Sequence, residues 1–287
     1  MRNPRNVDNQ RRSRVIRFLI AAMLATPAVA HARSASKLDG VLVVIDPGHG
    51  GLDDGASGYV DGQRVVEDEH VYDVALRLRD MVRADGGHAV LTISDRSQQR
   101  PRNNRPGRYL ADDRGEVVIG NGCAPLRAGT ECLNARIAAG RLSAKRYPHH
   151  RVVWISIHYD VGGASTEGAV VIVPSSGATP TSRAIARAFE RHPDRTRRCN
   201  GEPTDDILES GDRDHGIRRL FVLSNRNPFP ERMLIELGNF RNAEDLWRIR
   251  DHRSRDDFAR RIARGLIMWA SPKSVPARHG RMRFAGR

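Results

Sequence analysis

Four short stretches of this 287-residue chain place chemically capable side chains at the end of an apolar run or inside one. The first is Ile45-Asp46-Pro47-Gly48-His49-Gly50-Gly51, a run of apolar residues entering a glycine-rich turn that holds one histidine. Glycine at that density brings backbone close to something, and a phosphate, a metal ion or a plain tight bend would each account for it. The spacing fits neither the phosphate-binding loop nor the dinucleotide fingerprint. The second is Ser156-Ile157-His158, where His158 ends another apolar run. One such histidine is more often structural than a ligand. Two of them closing two strands change that reading, because parallel neighbours deliver their carboxyl ends to the rim where α/β sheets bind ligands.

The third is Glu67, at the start of a strongly periodic helix and on the same stripe as Val71 and Val74. Dipole complementarity is its plain explanation, whereas an inward carboxylate needs a cation for a partner. Asp68 and Glu69, rotated by roughly 100° and 200°, are expected in solvent. The fourth is Glu236 inside Met233-Leu234-Ile235-Glu236-Leu237. It either faces water from an edge strand or is buried to do chemistry near a metal. Together His49, Glu67 and His158 offer two neutral nitrogens and a carboxylate, the donor set of one catalytic zinc with a fourth position for water, and Glu236 adds a carboxylate to move protons. Zinc brings the pKa of such a water to about 7 and polarises a carbonyl, so the chemistry is hydrolysis.

The elements that must position these groups alternate. Strands are expected at 41–45, 89–93, 152–157, 169–173, 220–223 and 233–237, most of them apolar enough to be covered on both faces. Helices are expected at 67–84, 133–145, 182–191, 243–250 and 256–269, where apolar residues recur every three to four positions. That order is the mark of an α/β sheet with crossover helices. The polar stretch 94–132 is long for a connection inside a domain, and 201–215 reads as an acidic loop. Neither a repeat nor a second composition regime interrupts residues 38–271, which read as one catalytic domain.

Before it, residues 1–32 read as an export signal: six arginines against Asp8, the apolar run 18–30, then small residues at Ala28, Ala30 and Ala32. The run is too short to span a bilayer, so the mature form is expected to have no transmembrane anchor and to be periplasmic or secreted. Arg11-Arg12 matches the twin-arginine signal only partly, which leaves the route open between Sec and Tat. Residues 272–287, basic and rich in glycine and proline, read as a disordered tail. Removing the signal lowers the formal charge from +14 to +9, and the remaining basic clusters are scattered, with no nucleic-acid motif among them. Anionic envelope polymers suit this charge better than nucleic acid. Apolar residues make up 39%, which with glycine is a globular composition. Three cysteines suit an oxidising compartment; Cys123 and Cys132 are expected to close a local disulfide, leaving Cys199 over.

The motifs also carry a resemblance. Asp46-Pro47-Gly48-His49-Gly50-Gly51, Glu67 followed by Ala75-Leu76-Arg77-Leu78, Leu133 and Arg136 ahead of Ser156-Ile157-His158, and Ile235-Glu236-Leu237-Gly238 with Asn242 stand in the order and rough spacing of a known family. Over about 41–268 the chain resembles the zinc-dependent N-acetylmuramoyl-L-alanine amidases of the type 3 family. The resemblance implies a twisted mixed, largely parallel sheet flanked by helices, and cleavage of the amide between N-acetylmuramic acid and L-alanine in peptidoglycan. It implies His49, Glu67 and His158 as zinc ligands, Glu236 as general acid/base, and Asp46 as a support for the loop bearing His49. Asp68-Glu69 and Tyr159 depart from the family pattern; Tyr159 is expected to narrow the rim of the site or to stack on sugar. Some relatives carry an autoinhibitory helix relieved by an activator protein. In that interval 201–215 has no amphipathic stripe, so an activator stays open. His215, in that loop, is a further candidate for touching substrate, and the other histidines are read as structural. A non-catalytic envelope-binding protein and another zinc amidohydrolase or peptidase on the same framework remain alternatives.

Overall fold

The computed structural model describes residues 36–103, 110–120, 122–192 and 194–271. The signal read at 1–32 and the tail at 272–287 lie outside the described residues. In chain order the elements are β1 Val41–Pro47, β2 Ser57–Val60, β3 Gln63–Val66, α1 Glu67–Ala84, β4 His88–Leu91, β5 Ile93–Asp95, β6 Glu116–Val118, α2 Thr130–Ala144 and β7 Arg151–Asp160. There follow β8 Thr166–Glu167, β9 Val170–Val173, α3 Pro180–Glu190, β10 Arg198–Cys199, β11 Glu202–Pro203, β12 Ile207–Glu209, β13 Glu231–Asn239, α4 Ala243–Arg250 and α5 His252–Ala270.

Six strands form the central sheet in the order β12-β9-β13-β7-β1-β4. β4, β1, β7 and β13 run parallel, β9 is antiparallel to β13, and β12 is parallel to β9. The sheet is thus mixed and mostly parallel, as the alternating pattern predicts, and among the described residues five helices flank it in a single domain. Side chains alternate across a strand with a period of two, and here the alternation sorts them into two unequal layers. Val41, Val43 and Ile45 of β1, with Val153, Ile155 and Ile157 of β7, enter the main core with Val71, Val74 and Leu78 of α1 and Phe258 and Ile262 of α5. Leu42, Val44 and Trp154 point the other way, onto Ile137 of α2 and Phe229. The same alternation puts Asp46, Ser156 and His158 on this second, thinner side.

The strand expected at 220–223 is instead a 3-10 turn, Phe221–Leu223. The four consecutive apolar residues 220–223 have no alternation to commit them to a sheet; Leu220, Val222 and Leu223 pack with Val170, Ile172 and Leu234, and Phe221 packs with the cluster around Trp154. The acidic stretch 201–215 contains β11 and the edge strand β12, which are too short to announce themselves. The last helix starts earlier than expected, at His252, because Asp251 caps it by accepting the Ser254 N–H at 2.8 Å. A β2–β3 hairpin, unread in the sequence, turns at Asp61-Gly62 with φ of 50° and 76°. It ends directly on Glu67.

Candidate metal centre

β1 ends beside β7, its register partner through Pro47 and Ile157, and the Gly48 N–H donates to the Ile157 carbonyl at 2.8 Å. That bond aims the next residue, His49, held at a φ of 62°, across the carboxyl edge of the sheet. His158, one residue past Ile157, lies on the edge of the neighbouring strand. The rings of His49 and His158 sit with centroids 5.0 Å apart, nearly perpendicular. Glu67 reaches them from the first turn of α1: its Oε1 lies 3.3 Å from His49 Nε2 and 3.1 Å from His158 Nδ1. Ligand atoms of all three residues fall within 4.8 Å of one another. The carboxylate is steadied by N–H groups, Tyr159 donating to Oε1 at 2.9 Å and Ala56 to Oε2 at 2.8 Å. The expected inward projection of Glu67 therefore holds, and it is 2% exposed.

The electrostatics of the pocket favour positive charge. Burial would lower the pKa of His49, yet the Glu67 and Asp53 carboxylates beside it raise it to about 10. Burial would raise that of Glu67, yet His49 and His158 hold it well below the usual carboxylate range. Glu236 is the register partner of His158 on the adjacent strand β13. Its Oε2 is buried with no hydrogen-bond partner, and its pKa stands well above 4.5, chiefly from burial and then from Glu67 and Asp160. Glu236 belongs to a central strand, not an edge, so the water-facing reading of this residue does not apply.

Asp46 is 1% exposed and both its oxygens are occupied: Thr92 Oγ1 and Arg136 Nε donate to Oδ1 at 2.6 and 2.8 Å, and Ser156 Oγ donates to Oδ2 at 2.7 Å. Arg136 in turn donates through Nη1 to the His49 carbonyl at 2.8 Å. Asp46 thus reaches the His49 loop through one arginine. Sequence reasoning missed Asp53, whose Oδ1 is 3.0 Å from His49 Nδ1; a carboxylate four residues after the histidine was the available signal.

Beside the histidines opens a cavity of about 300 Å³, lined on its far side by Arg127, Leu133, Arg218, Phe221 and Leu234. Arg127 and Gly129 belong to the long 94–132 stretch, which therefore contributes a wall to this cleft. Cys123 and Cys132 of the same stretch come together with Cα atoms 5.1 Å apart, a separation that a disulfide spans.

Three expectations are corrected. Tyr159 neither narrows the rim nor is free to stack on a sugar: alternation along β7 turns its ring into the main core, against Phe240 and Phe258, and it is 3% exposed. Asp68 and Glu69 are not solvated but fully buried, because the segment leading into β6 folds over them and the Asp113 N–H donates to Glu69 Oε1 at 2.9 Å. His215 does not line the cleft; its Nδ1 is engaged by Asp212 Oδ2 at 2.8 Å.

The sequence matches the family described as N-acetylmuramoyl-L-alanine amidase over residues 43–268. Among solved structures, the CwlD amidase from Clostridioides difficile, in complex with the GerS lipoprotein, is 18% identical with a TM-score of 0.54, over 80% of this chain and 98% of that one. The N-acetylmuramoyl-L-alanine amidase AmiC2 of Nostoc punctiforme is 20% identical with a TM-score of 0.53, over 81% and 98%. The apo form of Ami1 from Mycobacterium abscessus is 17% identical with a TM-score of 0.54, over 81% and 99%. At these identities the likeness is one of fold. No curated protein sequence matches the chain.

Proposed function

Because the chain belongs to the N-acetylmuramoyl-L-alanine amidase family, we propose that His49, Glu67 and His158 hold one zinc ion and that Glu236 carries the proton through the reaction. The reaction is hydrolysis of the amide between N-acetylmuramic acid and L-alanine, and the substrate is peptidoglycan. The observation that carries the reading is the convergence of two imidazole nitrogens and one carboxylate oxygen within 4.8 Å at the carboxyl edge of the sheet. These donors suit zinc, a borderline ion that binds histidine nitrogen and carboxylate oxygen and in catalytic sites takes three protein ligands.

Zinc bound there supplies Lewis acidity, acidifying water and polarising the attacked carbonyl. The protein does the rest. Glu67, already fixed by the Tyr159 and Ala56 N–H groups, spends no ordering entropy in meeting the ion. Arg136 and Asp53 set the orientation of His49. Glu236, half-buried beside His158, takes a proton from the attacking water at its carboxylate and delivers it to the departing L-alanine nitrogen. Its raised pKa suits a group that must hold that proton between the two steps. The arginines on the cleft wall, Arg127 and Arg218, offer positive charge to the carboxylates of a stem peptide.

The enzyme acts outside the cytoplasm, exported by the signal at 1–32 into the periplasm or the medium, with a Cys123–Cys132 disulfide bracing the wall that carries Arg127. Among the described residues no helix is long and apolar enough to cross a membrane. Digestion of purified sacculi by the wild type and by Glu236→Gln tests the assignment, with products identified by mass. The wild type should release peptides with free L-alanine amino termini, and the variant should release them about 10²–10⁴-fold more slowly. Products that keep the lactyl–alanine bond would overturn it.

A further inference from the structure

Asp68 is 1% exposed, and neither of its carboxylate oxygens has a hydrogen-bond partner. One oxygen of Glu69, which is 0% exposed, and one of Glu116, which is 2% exposed, are in the same state. Ligand oxygens of the three lie within 4.8 Å of one another. Each of the two glutamates is held by its other oxygen: the Asp113 N–H donates to Glu69 Oε1 at 2.9 Å, and the Gly51 N–H donates to Glu116 Oε2 at 3.1 Å. The free oxygens are therefore positioned by backbone and not by rotamer chance.

A neighbouring group provides the contrast. Asp54 and Asp112 form a second triad with Asp68, and there the protein brings its own cations. Arg64 lies 2.6 Å from Asp54 Oδ2 and 3.7 Å from Asp112 Oδ2, and Arg114 lies 3.7 Å from Asp112 Oδ2. Among the described residues no basic side chain is paired with Asp68, Glu69 or Glu116. Three carboxylates buried together without counter-charge are costly, and a cation among them removes the cost.

We propose that Asp68, Glu69 and Glu116 form a second metal site, separate from the His49, Glu67 and His158 set, for a hard divalent cation of the calcium class. The donors are oxygen alone, without the nitrogen or sulfur that would draw zinc or copper. Calcium accepts irregular carboxylate geometry, mono- or bidentate, whereas magnesium demands a tight octahedron and keeps its waters. Asp112 Oδ1, also without a partner, stands nearby to extend the coordination.

The ligands come from two places that no secondary structure joins. Asp68 and Glu69 sit in the first turn of α1, directly after Glu67, and Glu116 sits on β6 in the long stretch between β5 and α2. A cation there ties that stretch to the helix start that presents Glu67. Through the Glu116 bond to Gly51 it also ties the stretch to the loop that presents His49. It is a structural clamp on the loops around the catalytic edge.

The test is equilibrium dialysis of the full chain, zinc retained, against millimolar calcium, with both metals counted by mass spectrometry. The wild type should hold one calcium per chain in addition to its zinc and melt at a higher temperature with calcium present. The triple variant Asp68→Asn/Glu69→Gln/Glu116→Gln should lose the calcium and keep the zinc. Should that variant fail to fold, Glu69→Gln alone should weaken calcium binding about tenfold or more. Absence of calcium from the wild type, or calcium that stays bound in the folded variants, would overturn the proposal. Because zinc is counted separately, either result stands apart from the fate of the His49 set.

Discussion

A β-carbon on Gly48 would lie 2.4 Å from the His158 imidazole. No side chain fits there, so the glycine before one of the two proposed ligand histidines is what makes room for the other. Gly48→Ala should push the His158 ring away from Glu67 while leaving the buried strands in place. We expect zinc affinity to fall by about 10–100-fold, the range found when the supports of metal ligands are disturbed. Competition with a chromophoric chelator measures this, and a melting curve separates it from unfolding. Unchanged zinc affinity would mean that the ring does not ligate.

Glu236→Gln keeps shape and volume but removes the proton acceptor. It should retain zinc and lose about 10²–10⁴-fold in kcat, the usual contribution of a positioned acid or base. Since burial and Glu67 raise its pKa, kcat/KM of the wild type should rise with pH on a limb centred above the ordinary carboxylate value of 4.5, and the residual activity of the variant should lack that limb. A variant that lost its zinc as well would show Glu236 to be structural.

Asp46 satisfies three donors at once, and one of them, Arg136, grips the His49 carbonyl. Asp46→Asn turns an amide N–H₂ toward a donor and loosens that grip. The expected outcome is a loss of zinc affinity of about 10–100-fold without a change in the pH limb assigned to Glu236. A shift of that limb would place Asp46 nearer the reacting atoms than its contacts do.

Away from the edge, Asp73 on α1 meets Arg77 at 2.8 Å and Arg255 on α5 at 2.7 Å; Asp73 and Arg255 are both fully buried. Removing one partner of such a group strands a buried charge, at about 3–5 kcal/mol. Asp73→Asn should lower the unfolding free energy by that amount in urea, with zinc stoichiometry intact at low denaturant.

The candidate site residues were legible because His49 and His158 follow apolar runs and Glu236 interrupts one, and an apolar run declares its strand. His49 falls in the turn just past β1, His158 and Glu236 on β7 and β13, and Glu67 on the inward stripe of α1. What the sequence concealed depends on contacts between distant segments. Asp68 and Glu69 look solvated from helical phase alone; only the return of residues 110–116 over the start of α1 buries them. The alternation of β7 sends Tyr159 to the face opposite His158, where its ring is buried. Residues 220–223 form a turn packed on the sheet and not a strand within it, because a four-residue apolar run without alternation does not say which it will become. The Asp61-Gly62 turn was readable from its residue types, and its consequence is direct, since the hairpin ends where Glu67 begins.

A proton on His49 would compete with the proposed zinc ion. In the metal-free protein the pKa of His49 stands near 10, against 6.5 for an unperturbed histidine. A raised folded-state pKa contributes stability that is fully present below pH 6.5 and is lost as pH climbs through about 10. Glu67, depressed by the same partners, contributes stability that is present above 4.5 and lost as pH falls toward its folded value. The metal-free chain should therefore melt highest between about pH 4.5 and 6.5 as far as this pair is concerned, and progressively lower toward pH 10. Zinc needs the neutral imidazole, so at pH 7 its binding should expel close to one proton per chain. Calorimetric titration in buffers of different ionisation enthalpy reads that number directly. His49→Gln should abolish the proton release and flatten the alkaline decline of the metal-free melting temperature. Zinc binding with no proton released at pH 7 would mean that His49 is already neutral there, and that Glu67 and Asp53 do not act on it as their distances require.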